Sequence, residues 1–296
     1  MSHKKTLQEL TIKDNFMFGA VMVDEKLCKE FLELVLGFQI RSIRVSKEKS
    51  MIYHPEYKGV RLDITADDEN QTHYNVEMQV KYKRDLGKRS RYYHSQMDME
   101  LLFSGADYEV LPDSYVIFIC NFDPFGRKRY CYTFRNKCQE DDTVELGDGS
   151  HTIFLSTYGE NEDEVPERLV QFLKYVRADT DEMETEDHFV KRVQEAVRKI
   201  KASREMEERY MLLEELIREE REEAKEEGRA EEKINSRANM TISFLEELGE
   251  VPDDLREIIL NERSLETLTE YTKEAARAKS IKEFEEKIRR IQKIRE

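Results

Sequence analysis

The sequence predicts a mixed α/β core of roughly 155 residues followed by an all-helical C-terminal region. Three observations carry that expectation. Helical and strand-like periodicities run through the first half in the order helix, strand, strand, strand, helix, strand, with extra strands behind. "DSYVIFICNF" (113–122) is a continuous apolar run, which suits a strand buried on both faces. Beyond Gly159 an acidic stretch gives way to helical patterning throughout.

Each element follows from local spacing. "DEKLCKEFLELVLGF" (24–38) places Leu27, Phe31, Leu34 and Val35 on one helical face, and Gly37 ends it. "QIRSIRVSKEKSM" (39–51) turns to strand-like alternation. "VRLDITADDENQTHYNVEMQVK" (60–81) reads as two strands around a polar turn near Asn70. Helical spacing returns over 88–108, with Tyr93, Met97 and Leu101 on one side and a stop at Gly105. "KRYCYTFRN" (128–136) and "HTIFLSTYG" (151–159) are two further strands, with "GDG" (147–149) as a turn between them.

The predicted division is a core over 1–158, an acidic linker and helix over 159–187, and a helical region over 188–296. Val190, Val193, Val197, Ile200, Met206, Tyr210, Leu213 and Ile217 form an apolar stripe that needs a partner face, another helix or another chain. A homo-oligomer joined through these helices is therefore expected. "REEREEAKEEGRAEEK" (218–233) lacks apolar anchors and reads as a solvated helix or a connector. The last three segments suit a small helical bundle, with Pro252 at a first helical position and a capping box from Ser280 to Glu283.

The formal net charge of −15 argues at first against nucleic acid. The charge is uneven, however. Residues 1–155 hold 22 Lys+Arg and 25 Asp+Glu, a net of −3, so 27 and 39 remain for the rest, a net of −12. Within the first half "KYKRDLGKRSR" (81–91) has six basic residues and one acid, and "RKRYCYTFRNK" (127–137) has five and none. Such stretches with interleaved tyrosines fit a phosphate backbone, or equally a solvated loop and an exposed strand. The four cysteines show no CxxC pairing and read as reduced thiols. The N-terminus lacks an apolar signal region, and no run of about 18 apolar residues occurs, so a cytoplasmic protein that does not enter a membrane is expected.

Several chemistries lack their motifs. No glycine-rich phosphate loop follows a strand, and no G-x-S-x-G elbow is present. The six histidines are scattered, which argues against zinc. Carboxylates remain, and they cluster at the hairpin. Side chains two apart share a strand face, so Val60, Leu62 and Ile64 point one way and Arg61 and Asp63 the other. On the second strand Val76, Met78, Val80 and Tyr82 face the core, while Glu77, Gln79 and Lys81 oppose them. With the tip near Asn70, Asp63 stands opposite Glu77 at a Cβ separation of about 5 Å. Two carboxylates that close repel, and a divalent cation removes the objection. Gln79 and Lys81 would then orient a water or neutralise charge developing on phosphorus. By spacing alone, an amphipathic edge hairpin whose polar face meets water fits the same residues.

The D…E-x-Q arrangement across a hairpin, between an N-terminal helix and an Arg/Tyr-rich helix, resembles the PD-(D/E)XK nuclease superfamily. More closely it is similar to the Rpn family of recombination-promoting nucleases, also described as PD-(D/E)XK family transposases. The similar stretches, from "IKDNFMFGAVMVDEKLCKEFLELVLG" to "YTFRNKC", span most of residues 10–138. The resemblance implies a restriction-endonuclease-like αβββαβ core and a DNA endonuclease dependent on Mg²⁺ or Mn²⁺. It implies that Asp63 and Glu77 bind the metal, with the Met78 carbonyl as a third ligand. Gln79 stands where the superfamily usually has Lys, and Leu62 where it often has Pro. Asp14 either contributes a further acid from the first helix or caps that helix. Lys83, Arg84, Lys88, Arg89, Arg91 and Gln96 are the candidate DNA contacts. Two other readings remain open: a degenerate nuclease fold that only binds DNA or regulates, and a helical oligomerisation scaffold.

Overall fold

A computed structural model describes residues 5–51, 60–102 and 104–295. The side chains of Val60, Arg61 and Leu62, assigned faces above, lie outside the described residues. The chain divides into two compact units, residues 1–210 and 211–296.

The first unit is built on one six-stranded sheet in the order β1-β2-β3-β4-β6-β5. Its strands are β1 (Ile43–Met51), β2 (Val60–Asp68), β3 (His73–Gln79), β4 (Ser114–Cys120), β5 (Cys131–Phe134) and β6 (Ser150–Ser156). The first three form an antiparallel meander. β4 runs parallel to both β3 and β6, and β5 closes the edge antiparallel to β6. The crossover from β3 to β4 carries α3 (Leu86–Leu101), as a parallel pair requires. All seven residues of β4 are buried, in keeping with its apolar run.

Two helices, α1 (Asn15–Met22) and α2 (Glu25–Leu36), stand where periodicity predicts one. Phe16, Met17, Phe18, Val21 and Met22 leave α1 without a polar face, so no amphipathic pattern marks it. Asp24 caps α2 by accepting from the amides of Lys26 and Leu27, and Gly37 ends it at φ 76°. α3 stops at Leu101, short of Gly105. The loop from β5 to β6 is longer than the predicted turn, with an isolated bridge between Lys137 and Glu145. Gly149, at φ +68°, closes it where an added Cβ would lie 2.5 Å from Asp113 Oδ1.

The expected boundary at 158 moves. α4 (Glu167–Ala178), a helix within the expected linker and helix of 159–187, buries Leu169, Val170, Phe172, Leu173, Tyr175 and Val176 and belongs to the first unit. α5 (His188–Lys201) turns Phe189, Val190, Val193 and Val197 fully inward, against α1, α2 and α4. The rings of Phe31, Phe172 and Phe189 pack in sequence, tilted against one another, at centroid distances of 5.4 and 5.5 Å. The apolar stripe is therefore two helices, broken at Ala202 and Ser203, and its first half is core of this unit.

α6 (Arg204–Glu246) is a 43-residue helix. Its middle, 218–233, is exposed almost throughout among the described side chains, as its composition requires. The second unit is the expected bundle: the end of α6 with α7 (Asp253–Asn261), α8 (Leu265–Ala275) and α9 (Ile281–Arg295), around Leu245, Leu255, Leu268, Tyr271 and Phe284. Pro252 is the N-cap of α7. At α9 the Glu283 amide donates to Ser280 Oγ, while the Glu283 carboxylate accepts from the Lys279 amide, one residue before the box. Among the described residues, no helix is long and apolar enough to cross a membrane.

Candidate active site

The hairpin has the expected register. Ile64 lies opposite Val76, Thr65 opposite Asn75, Ala66 opposite Tyr74 and Asp67 opposite His73. One step beyond Ile64 and Val76, side chains take over the connection. The Asp63 amide donates to Glu77 Oε1 at 3.1 Å, and the Met78 amide donates to Asp63 Oδ2 at 3.3 Å. Backbone groups of successive strand residues turn to opposite neighbours. The Gln79 carbonyl accepts from Asn121, just past β4, so the Met78 carbonyl turns to the β2 side with its amide, where Asp63 lies.

The polar face of β3 does not meet water. Asn75, Glu77 and Gln79 are 0%, 1% and 7% exposed. They share a face with Val116, Phe118 and Cys120 of β4, and α3 lies over that face through Leu86, Tyr93 and Met97. Burial, and next the Asp63 carboxylate, push the Glu77 carboxyl up to about 8, against the pull of Arg89.

Arg89 is the centre of this cover. Its Nη2 donates to Glu77 Oε2 at 2.5 Å and its Nη1 to Gln79 Oε1 at 2.9 Å. Its Nε donates to the Tyr93 hydroxyl, and the guanidinium lies 5.0 Å from the Tyr93 ring centre and 5.7 Å from that of Phe118. Gln79 uses its other end as well, donating to the Lys81 carbonyl at 2.7 Å.

The remaining expected residues divide. Asp14 turns to the Lys5 ammonium at 2.9 Å and the Thr11 amide at 2.8 Å. The neighbouring Asn15 is the residue of this helix that donates to Asp63, at 3.3 Å. β3 ends at Gln79, so Lys81 leaves the strand face and is exposed, as are Val80 (38%) and Tyr82 (59%), which were expected in the core. Lys83, Arg84, Lys88 and Arg91 are exposed. Arg89 is bound inside the site instead, and Gln96 is buried, at 7% exposure. A signal for Arg89 was present: it falls four residues before Tyr93, in line with Tyr93 and Met97, which pack on the sheet. Asn15 left no such trace.

Among the described residues no three His, Cys, Asp or Glu side chains come together to hold a metal. Asp63, Glu77 and the Met78 carbonyl nevertheless form a set of hard oxygen donors. That set fits Mg²⁺, which commonly takes one or two carboxylates and leaves its other positions to water and substrate phosphate.

The family model described as "PD-(D/E)XK nuclease family transposase" matches residues 15–233, which hold every element of the sheet and of this site. Comparison with curated proteins and with solved structures gives no match.

Proposed function

Because the chain belongs to the PD-(D/E)XK nuclease family transposases, we propose that it is a metal-dependent endonuclease that hydrolyses DNA phosphodiester bonds in recombination or transposase-like strand processing. The observation that carries this reading is the pairing of Asp63 with Glu77 where the β2–β3 ladder gives way to side-chain contacts, beneath a helix that brings a guanidinium to the same face.

In this proposal Asp63, Glu77 and the Met78 carbonyl hold Mg²⁺ or Mn²⁺. When bound, the ion supplies Lewis-acid polarisation of the phosphodiester and of water, and offsets charge on the leaving oxygen. The chain's own residues do the rest. Asn15 and the Met78 amide fix the Asp63 carboxylate from two directions. Gln79 ties the Lys81 carbonyl to the end of β3, which holds the basic loop beside the acids. Lys81, Lys83, Arg84, Lys88 and Arg91 then meet backbone phosphates, so binding weakens sharply with salt and reads little sequence. Asp14 and Gln96 have no part in this proposal.

A second copy of the chain is the proposed further partner. Met211, Leu212 and Leu216 of α6 are 62%, 58% and 49% exposed, a run of large apolar side chains just before the charged stretch 218–233. A cytoplasmic location suits the reduced cysteines and a DNA substrate.

The test is incubation of plasmid DNA with the purified protein, with Mg²⁺, with Mn²⁺ or with EDTA, beside an Asp63→Asn, Glu77→Gln double variant. Relaxed or linear product only for wild type with metal is expected. DNA binding without cleavage under every condition would assign the fold a binding or regulatory role instead.

A further inference from the structure

Glu77 is 1% exposed, and both of its oxygens are engaged, Oε1 by the Asp63 amide and Oε2 by Arg89. Two acids and a neutral amide share this corner of the sheet. Among the described residues the cation bonded to Glu77 is Arg89, which holds Glu77 and Gln79 at once through its two terminal nitrogens. A buried carboxylate needs such a partner when no other positive charge is present. A divalent ion held by the same carboxylate changes that balance. The ion would stand beside a guanidinium at short range in a poorly solvated site, where like charges repel strongly.

We propose that Arg89 is the resident counter-cation of the metal site: it releases Glu77 when a divalent ion binds, and its guanidinium then takes a phosphate oxygen of the substrate. The inference rests on the metal-dependent nuclease reading. The seat of Arg89 allows such a transfer. Its side chain is 26% exposed, it lies in the first turn of α3 beside the exposed Lys88, and Tyr93 and Phe118 hold it by ring faces that do not depend on Glu77. Reorienting the end of the side chain exchanges a carboxylate for a phosphate without moving the helix. Both acceptors suit the planar fork. Ion binding and the Arg89–Glu77 contact are then linked, each weakening the other.

The experiment measures Mg²⁺ and Mn²⁺ affinity by titration calorimetry on wild type, Arg89→Met and Arg89→Lys, without DNA. Arg89→Met, which keeps an unbranched apolar stem and loses the charge, should bind either ion at least about tenfold more tightly. Arg89→Lys, still charged but unable to bridge both partners, should fall between. In ¹⁵N-labelled wild type the Arg89 Nε–H resonance, assigned by its loss in Arg89→Lys, should shift as Mg²⁺ is added. A purely structural ion pair predicts the opposite: ion affinity equal or weaker in a folded Arg89→Met, and an unmoved resonance. Either result overturns the proposal, and the resonance decides it if Arg89→Met does not fold. Failure of every variant to bind an ion would overturn the metal site and this proposal together. Tighter ion binding by Arg89→Met with no cleavage by wild type would leave the counter-cation standing and remove the nuclease.

Discussion

Asp63 and Glu77 are joined main chain to side chain: the Asp63 amide donates to Glu77 Oε1 at 3.1 Å, one step past the last ladder pair of Ile64 with Val76. The carboxylates thus do chemistry that the sheet would otherwise do, since each accepts from an amide of the facing strand. Removing either side chain outright would strand an amide as well as a charge. A useful variant keeps the acceptor and removes only the charge.

Asp63→Asn is that variant. Without metal its stability should equal or slightly exceed wild type, because like-charge repulsion with Glu77 is gone while an acceptor remains for the Met78 amide. At an Mn²⁺ concentration one hundred times the dissociation constant, wild type should gain about 2.7 kcal/mol, and Asp63→Asn little. Thermal unfolding of both proteins with and without the ion checks this. Equal gains would remove the metal from this face.

The exposed cations predict a different signature. Lys83→Ala with Lys88→Ala should leave stability within about 0.5 kcal/mol and weaken binding to any duplex. The slope of log affinity against log salt should become shallower by about 1 to 2. Fluorescence anisotropy over a salt series measures both quantities. An unchanged slope would place the DNA elsewhere.

Periods of two and 3.6 were enough to order the six strands with α2 and α3, and the polar tip near Asn70 set the hairpin register. The two acids could be found for the same reason, since register alone brings Asp63 to Glu77. What covers them is a tertiary fact. Gln79 and Lys81 alternate properly on paper, yet β3 ends between them. Arg89 and Gln96 read as candidate DNA contacts until α3 is laid on the sheet and buries or engages both. The stripe from Val190 misled for a related reason. Apolar spacing shows that a face is covered, not by what, and α5 found its cover within its own unit.

That difference is testable at Val197 of the former stripe and at Leu212 and Leu216, beside its far end. Val197 is fully buried, so Val197→Asp should cost at least about 3 kcal/mol at every protein concentration. Leu212→Asp with Leu216→Asp, on exposed positions of α6, should leave unfolding almost unchanged. If a second copy docks on that helix, light scattering should show the double variant at half the wild-type mass or less. A wild type already monomeric at micromolar concentration would remove the second copy.

The last prediction concerns acid. His94 of α3 is 7% exposed, with Nδ1 on Ser114 Oγ at 2.8 Å and Nε2 on Thr152 Oγ1 at 3.1 Å. Burial, helped by the nearby His151, pushes its pKa down to about 4, so the folded protein holds the ring neutral. In the unfolded chain the ring titrates near 6.5. Above that pH neither state carries the proton and the full stability is present. As pH falls from about 6.5 towards 4, the unfolded chain takes up a proton that the folded one refuses, and stability is lost, by at most about 3 kcal/mol over the whole window. His94→Gln cannot charge, while it shares every carboxylate with wild type. Urea unfolding at pH 7.5 and pH 5 should therefore show wild type losing about 2 kcal/mol more than the variant. Equal losses would mean that the ring is already charged in the fold, and that the hydroxyls of Ser114 and Thr152 solvate it as well as water does.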